Sequence, residues 1–353
     1  MANLKRSFIS IIGVIALALL LVACGNSNSN DKKKDKLNVK TTIYPLTSLV
    51  EQIGGEHVEV ESVYPEGADL HTYDPSQKDI LDVNKSDLFV YTGDTLDPVA
   101  KKIAKSIKEE DKKLSIEKGL SKDMLMEGHH HHHGEEGHDH GHHEDALKED
   151  EHEHEHGEEG HKEEEHEHGH DEGHHGHSHG QYDPHIWLDP VIAQSMAKEV
   201  KDELVKKDPD NKADYEKNFK KVDKDLKALD EDLKAKTKDH KGETVFISHD
   251  SIGYLAKRYG FKQQGIQSMN KEDPTQKDLV KIVKEINDSD AKYVLYEENI
   301  STKITDVIRK DTDAKPLKFN NMEAITKKQS KDQTYQSFMK ENVKNLSKAL
   351  ENK

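Results

Sequence analysis

One cysteine, Cys24, stands in a chain of 353 residues, so no intrachain disulfide can form. Aromatic residues make up 5% of the sequence, with a single tryptophan, which leaves little material for an aromatic-rich adhesive face. No excess of basic charge is available for nucleic acid. Outside residues 127–180 the acidic and basic residues number 51 each, so the formal net charge of −17 resides in that one segment. No glycine-rich loop joins a strand to a helix, which argues against a phosphate or dinucleotide site. The His-Glu-x-x-His spacing occurs only inside the histidine- and glutamate-rich segment, at His152–His156 and His166–His170, where no helix is expected to present it, which argues against a secreted zinc hydrolase. No apolar run reaches the roughly 20 residues that a spanning helix needs; the run Phe8–Val22 has 15.

That short run has the pattern of a secretion signal. Lys5 and Arg6 precede it, and it closes in Leu21-Val22-Ala23-Cys24. Small residues before the only cysteine match a bacterial lipobox, so Cys24 is expected to be lipidated as the first residue of the mature chain. Residues 1–23 are then a signal peptide and residues 24–36, rich in Asn, Ser and Lys, a flexible tether. The functional part is expected outside the cytoplasm, held to the face of the cell membrane.

The remaining chain alternates strand-like and helix-like runs, which favours α/β lobes with parallel sheets and flanking helices. In the first lobe, residues 37–207, strands are expected near Val39–Ile43, Val58–Tyr64 and Leu88–Tyr91, with helices at Leu46–Ile53, Pro75–Asn84 and Pro98–Ile107. A long helix is expected over residues 208–237, with Asp208-Pro209 as its start. Its apolar residues Tyr215, Phe219, Val222, Leu226, Leu229 and Leu233 recur every three or four positions. This rod would join the lobes stiffly. The second lobe, residues 238–353, repeats the alternation, with strands at Thr244–Ile247, Phe261–Gln267, Tyr293–Tyr296 and Leu317–Phe319. No internal sequence repeat is apparent.

Residues 127–180 interrupt the first lobe. Of 25 histidines, 20 lie between His129 and His179, interleaved with glutamate and glycine. Such a segment cannot bury a core and is expected to be disordered. Its imidazoles suit borderline metals, and many equivalent ligand sets imply weak, exchangeable binding. His129, His130, His131, His132, His133, His138, His140, His142 and His143 are candidate auxiliary ligands. Five histidines lie elsewhere. His57 and His240 sit among charged residues at expected turns and carry no assigned role. His71, His185 and His249 each follow a strand end or a Pro-rich turn, the positions where open parallel sheets bind ligands. Two later carboxylates, Glu297 and Glu323, also follow strands, and either could complete a four-ligand set.

These motifs resemble those of the zinc-specific branch of metal-binding lipoproteins that serve bacterial ABC importers. The resemblance spans Leu37 to Leu350. It rests on Thr42-Ile43-Tyr44-Pro45, on Gly67-Ala68-Asp69-Leu70-His71-Thr72-Tyr73-Asp74-Pro75, on Asp183-Pro184-His185-Ile186-Trp187-Leu188-Asp189-Pro190 and on Ser248-His249. An acidic His-rich insert before the second His motif is typical of that branch. The resemblance implies a metal site made by His71, His185, His249 and Glu323, with Glu297 structural. It implies zinc rather than manganese, because manganese-binding relatives carry glutamate where His249 stands. It further implies an ABC-type zinc permease with its ATPase as partners, zinc as transported cargo and a monomeric chain. Ligands drawn from both lobes suggest capture and release between them, with small lobe tilts rather than wide hinge closure.

Overall fold

The computed structural model describes residues 36–68, 73–128, 182–269, 271–297, 302–323, 325–331 and 333–351. The signal peptide, Cys24, the rest of the tether up to residue 35, His71 and the histidines of the insert lie outside the described residues.

Two four-stranded parallel sheets organise the chain. The first contains β1 (Leu37–Thr41), β2 (Val58–Ser62), β3 (Leu88–Tyr91) and β4 (Lys113–Ser115), in the order β2-β1-β3-β4. Its helices are α1 (Tyr44–Gly54), α2 (Gln77–Lys85) and α3 (Pro98–Ser106). Strand β3 is the continuous apolar run Leu-Phe-Val-Tyr and is buried throughout, as a central parallel strand covered on both faces must be. The chain then forms α4 (Pro190–Lys207), a 3-10 turn Pro209–Asn211 and α5 (Lys212–Thr237). The second sheet contains β5 (Thr244–His249), β6 (Lys262–Gln267), β7 (Tyr293–Tyr296) and β8 (Lys315–Lys318), in the matching order β6-β5-β7-β8. Helices α6 (Gly253–Tyr259), α7 (Gln276–Asp288), α8 (Thr302–Asp311) and α9 (Tyr335–Glu351) accompany it.

The expected long helix is present but starts later. Asp208 accepts hydrogen bonds from the Tyr215 hydroxyl at 2.8 Å and the Asn211 amide at 2.5 Å, which holds Pro209–Asn211 as a separate turn. The 26 residues of α5 extend about 39 Å. It is not a free rod. Tyr215, Val222, Leu226, Leu229 and Leu233 are buried, and the helix packs against α1, α4 and α9. Helix α4 has no counterpart in the sequence reading, although Asp189 and Pro190 are a strong start signal. The Asp189 carboxylate accepts from the Val191 N–H at 2.8 Å, and Pro190 occupies the first turn.

The C-terminal α9 fastens the halves together. It packs on strands of the second sheet and on α1 of the first lobe. The Tyr335 N–H donates to Ser48 Oγ at 3.0 Å, and the Tyr44 hydroxyl donates to the Gln333 carbonyl at 2.7 Å. One core cluster accordingly runs through both lobes, including Val39, Leu49, Trp187, Leu229, Ile247, Phe319 and Leu346. A smaller cluster around Phe246, Ile282, Val294 and Ile308 fills the other face of the second sheet.

The matching strand orders bring out a repeat that reading along the chain missed. Asp74-Pro75-Ser76-Gln77-Lys78-Asp79-Ile80-Leu81 and Asp273-Pro274-Thr275-Gln276-Lys277-Asp278-Leu279-Val280 open α2 and α7, each between the second and third strands of its lobe. Both start with a capping box. Ser76 pairs with Asp79 and Thr275 with Asp278, each hydroxyl and carboxylate satisfying the other's backbone N–H.

Asp97 caps α3 from a fully buried position, accepting from the Ala100 N–H at 2.8 Å and from the Tyr64 hydroxyl. Burial pushes its carboxyl up to about 6, against the opposing effect of those hydrogen bonds. A folded-state pKa raised above the unfolded value of 3.8 contributes stability below that value and loses it as pH rises through about 6. Asp97→Asn keeps an acceptor for both donors and removes the buried charge. Its melting temperature relative to wild type is expected to be higher at pH 7 than at pH 4. An identical offset at both pH values, measured by thermal melts, would contradict this.

Candidate metal centre

The segment Asp183–Pro190 is built to hold one imidazole. Ile186–Leu188 forms a 3-10 turn whose three side chains are buried, and Asp189 with Pro190 launches α4 beyond it. Asp189 also pairs with Arg258 of α6. The Asp183 carboxylate accepts from the backbone N–H of His185 at 2.9 Å and contacts its Nδ1 at 2.7 Å. With Nδ1 engaged, Nε2 points to the opposite side, where Glu323 Oε1 lies 2.9 Å away. Sequence reasoning assigned no role to Asp183, although a ligand histidine commonly has a carboxylate on its second ring nitrogen and Asp183 is the acid nearest to His185 in the sequence.

His249 is the last residue of β5, inside the strand rather than just after its end as the sequence reading put it. Its Nδ1 lies 2.8 Å from Glu297 Oε2, and its Nε2 reaches the Met269 carbonyl oxygen at 3.1 Å. Glu297 is itself steadied by the Ser251 hydroxyl at 2.7 Å and by its own N–H donating to Ser248 Oγ at 3.1 Å. Glu297 therefore sits behind the His249 ring, whereas Glu323 stands in front of His185.

Glu323 arrives on a turn made of asparagines. Its N–H donates to the Asn321 side chain at 3.1 Å, and the Met322 N–H donates to the Asn320 side chain at 2.8 Å. Asn342 of α9 holds Asn320 by two hydrogen bonds, donating to its carbonyl at 2.7 Å and accepting from its N–H at 2.8 Å. The Trp187 indole donates to the Asn321 carbonyl at 2.6 Å, which ties the Glu323 turn to the His185 turn. Lys271, on the turn between β6 and α7, donates to Glu323 Oε2 at 2.5 Å. None of Trp187, Asn320, Asn321, Asn342 or Lys271 was singled out as a site residue by sequence. Their signal is geometric, because their contacts cross 22 to 134 residues of chain.

His185, His249 and Glu323 thus converge. All three are buried, and their candidate donor atoms lie within 4.8 Å of one another. The two rings meet edge to face with centroids 4.9 Å apart. Tetrahedral zinc with bonds of about 2.0–2.1 Å needs donors about 3.3 Å apart, so closing around such an ion takes only small side-chain shifts. Among the described residues this is the group of ligand-type side chains with that spacing. Electrostatics favours a cation here. Burial alone lowers the His185 pKa, but the charges and hydrogen bonds of Asp183 and Glu323 outweigh it and raise the imidazole to about 10.

A family model described as zinc-uptake complex component A, periplasmic, matches residues 39–349. The chain belongs to this ZnuA family. It is 33% identical over 343 residues to the high-affinity zinc uptake system protein ZnuA of Bacillus subtilis, covering 96% of each chain. Among solved structures, the metal-dependent lipoprotein YcdH from Bacillus subtilis is similar at 28% identity and a TM-score of 0.65, over 89% of this chain and 99% of that one. The laminin-binding protein Lmb of Streptococcus agalactiae, described as bifunctional with adhesin and metal transporting activity, is similar at 25% identity and a TM-score of 0.67, over 90% and 100%. No helix among the described residues is long and apolar enough to cross a membrane.

The asparagine turn gives a stability test. Asn342→Leu leaves Asn320 without both partners in a buried setting, which costs about 1–3 kcal/mol for each unsatisfied group. Asn345→Ala, at an exposed site, loses only a bond to the Lys318 carbonyl. Chemical denaturation is expected to separate the two clearly, with Asn342→Leu the weaker protein.

Proposed function

We propose that this chain is the extracytoplasmic component of an ABC-type importer that captures Zn(II) between its lobes and passes it to a permease driven by an ATPase. The observation that carries this reading is the meeting of two buried imidazoles and one buried carboxylate from segments 138 residues apart. A nitrogen-rich set with one carboxylate suits zinc better than manganese, which prefers oxygen. His185, His249 and Glu323 supply three ligands, and His71 supplies the fourth. Asp183 and Glu297 act behind the two rings, fixing which nitrogen faces the ion. Cys24 carries the lipid that holds the protein at the membrane, and the His-rich insert gathers zinc weakly near the site.

Ligand variants test the assignment. Chelator competition on the full chain is expected to show that His71→Ala, His185→Ala, His249→Ala and Glu323→Ala each weaken zinc binding more than about 100-fold. Glu297→Ala is expected to cost about 10–100-fold, as for a group acting through a ligand, and Glu297→Gln less, since its amide oxygen still accepts from Nδ1. A larger loss in Glu297→Ala than in Glu323→Ala reverses the choice of carboxylate. Deleting residues 129–181 is expected to leave the tight site intact; loss of all tight binding would move the site into the insert.

Zinc also competes with the proton on His185. Because that imidazole is held near 10, binding at pH 7 is expected to release about one proton from it, and affinity is expected to keep improving as pH rises above 7. Calorimetry in two buffers of different ionisation enthalpy measures the proton count. A heat independent of buffer would contradict this.

A further inference from the structure

We infer that Lys271 is a built-in competitor of the metal: its ammonium holds the Glu323 carboxylate and opposes the arriving cation, so that it tempers affinity and speeds release. The inference rests on the zinc-site reading above. Nothing in the sequence motifs points to Lys271, and it is no ligand itself, because an ammonium has no lone pair to offer.

Geometry carries the argument. Lys271 Nζ lies 2.5 Å from Glu323 Oε2, with the lysine side chain 15% exposed and the glutamate 2%. The contact is therefore shielded from solvent far more than a surface ion pair. The backbone aims the side chain deliberately. Lys271 has a φ of 59°, a left-handed conformation that costs a residue with a Cβ. The turn pays that strain back through the Lys271 N–H donating to the Ser268 carbonyl at 2.9 Å and the Gln267 amide donating to the Lys271 carbonyl at 3.3 Å. Two residues earlier, the Met269 carbonyl faces His249 Nε2 at 3.1 Å. One turn therefore places polar atoms against the ligand sides of both second-lobe groups.

The internal repeat makes the contrast sharper. In the first lobe, the stretch ahead of Asp74-Pro75 carries His71, an electron-pair donor. In the second, the stretch ahead of Asp273-Pro274 carries Lys271, a fixed positive charge. Corresponding connections of the two lobes thus carry opposite chemistry in the sequence. A dication bound beside Glu323 is repelled by the ammonium while the lysine stays on Oε2, and binding must break the shielded ion pair if the lysine swings away. A residue that merely steadied Glu323 would act in the other direction, improving binding by its presence.

The sign of one measurement decides between these. Zinc affinity by chelator competition, and zinc release into excess EDTA, are compared for the full-length wild type, Lys271→Met, Lys271→Gln and Lys271→Arg. Lys271→Met and Lys271→Gln are expected to bind about tenfold tighter and to release zinc correspondingly more slowly. Lys271→Arg, which keeps the charge, is expected to stay within about twofold of wild type. Melts of the metal-free proteins identify any variant that fails to fold, and Lys271→Gln, which can still donate to Glu323, then decides alone. Weaker or unchanged zinc binding in a folded neutral variant overturns the inference. Full zinc affinity in Glu323→Ala would instead remove the site reading on which it rests.

Discussion

The contact between His185 and Glu323 is the constraint on which the rest of the molecule depends. It places an imidazole from the segment before α4 against a carboxylate from the turn after β8, and both are buried. Buried charged groups survive only where partners compensate for lost water. Asp183 supplies one partner behind the ring, and Lys271 supplies another behind the carboxylate. The chain of Asp183, His185, Glu323 and Lys271 alternates in sign. A divalent ion entering that chain must rearrange it, which links metal capture directly to the electrostatics of the folded protein.

Rigid supports make such a chain of charges affordable. The Trp187 indole ties the His185 turn to the Glu323 turn, and the Tyr335 hydroxyl donates to the Trp187 carbonyl at 2.5 Å. Asn342 holds the asparagine turn from α9, the helix that also grips α1. The C-terminal helix therefore serves two purposes. It closes the apolar core across both lobes, and it sets the position of the carboxylate. This arrangement fits small side-chain adjustments around a cation better than separation of the lobes.

Much of this was legible from the residues. Strand β3 matched its apolar run, because a buried parallel strand leaves a continuous apolar signature. His185 and His249 were found as strand-end or turn histidines, and Glu323 and Glu297 were narrowed by resemblance. The separation of those carboxylates into one before His185 and one behind His249 came only with the fold. Helix α4 was not legible because its start signal, Asp189-Pro190, is folded into the same short motif that carries His185. The repeat at Asp74 and Asp273 was missed because it is eight residues long and 199 positions apart, and only the equal strand orders align it. Lys271 was invisible for a different reason. A lysine in a polar turn looks like solvent-facing charge until the turn's left-handed backbone is known.

The base of the histidine-rich segment is closed by an antiparallel bridge between Glu127 and Tyr182, and the Asp183 N–H donates to the Met126 carbonyl at 2.8 Å. The Tyr254 hydroxyl, accepting from the Met126 N–H and donating to the Asp183 carbonyl, locks both strands of that base to α6. Such a clasp isolates the architecture from whatever lies between its ends. The intervening stretch can lengthen, shorten or change its histidine content over evolutionary time, or be exchanged by an engineer for a reporter peptide, while the scaffold that grips His185 keeps its shape.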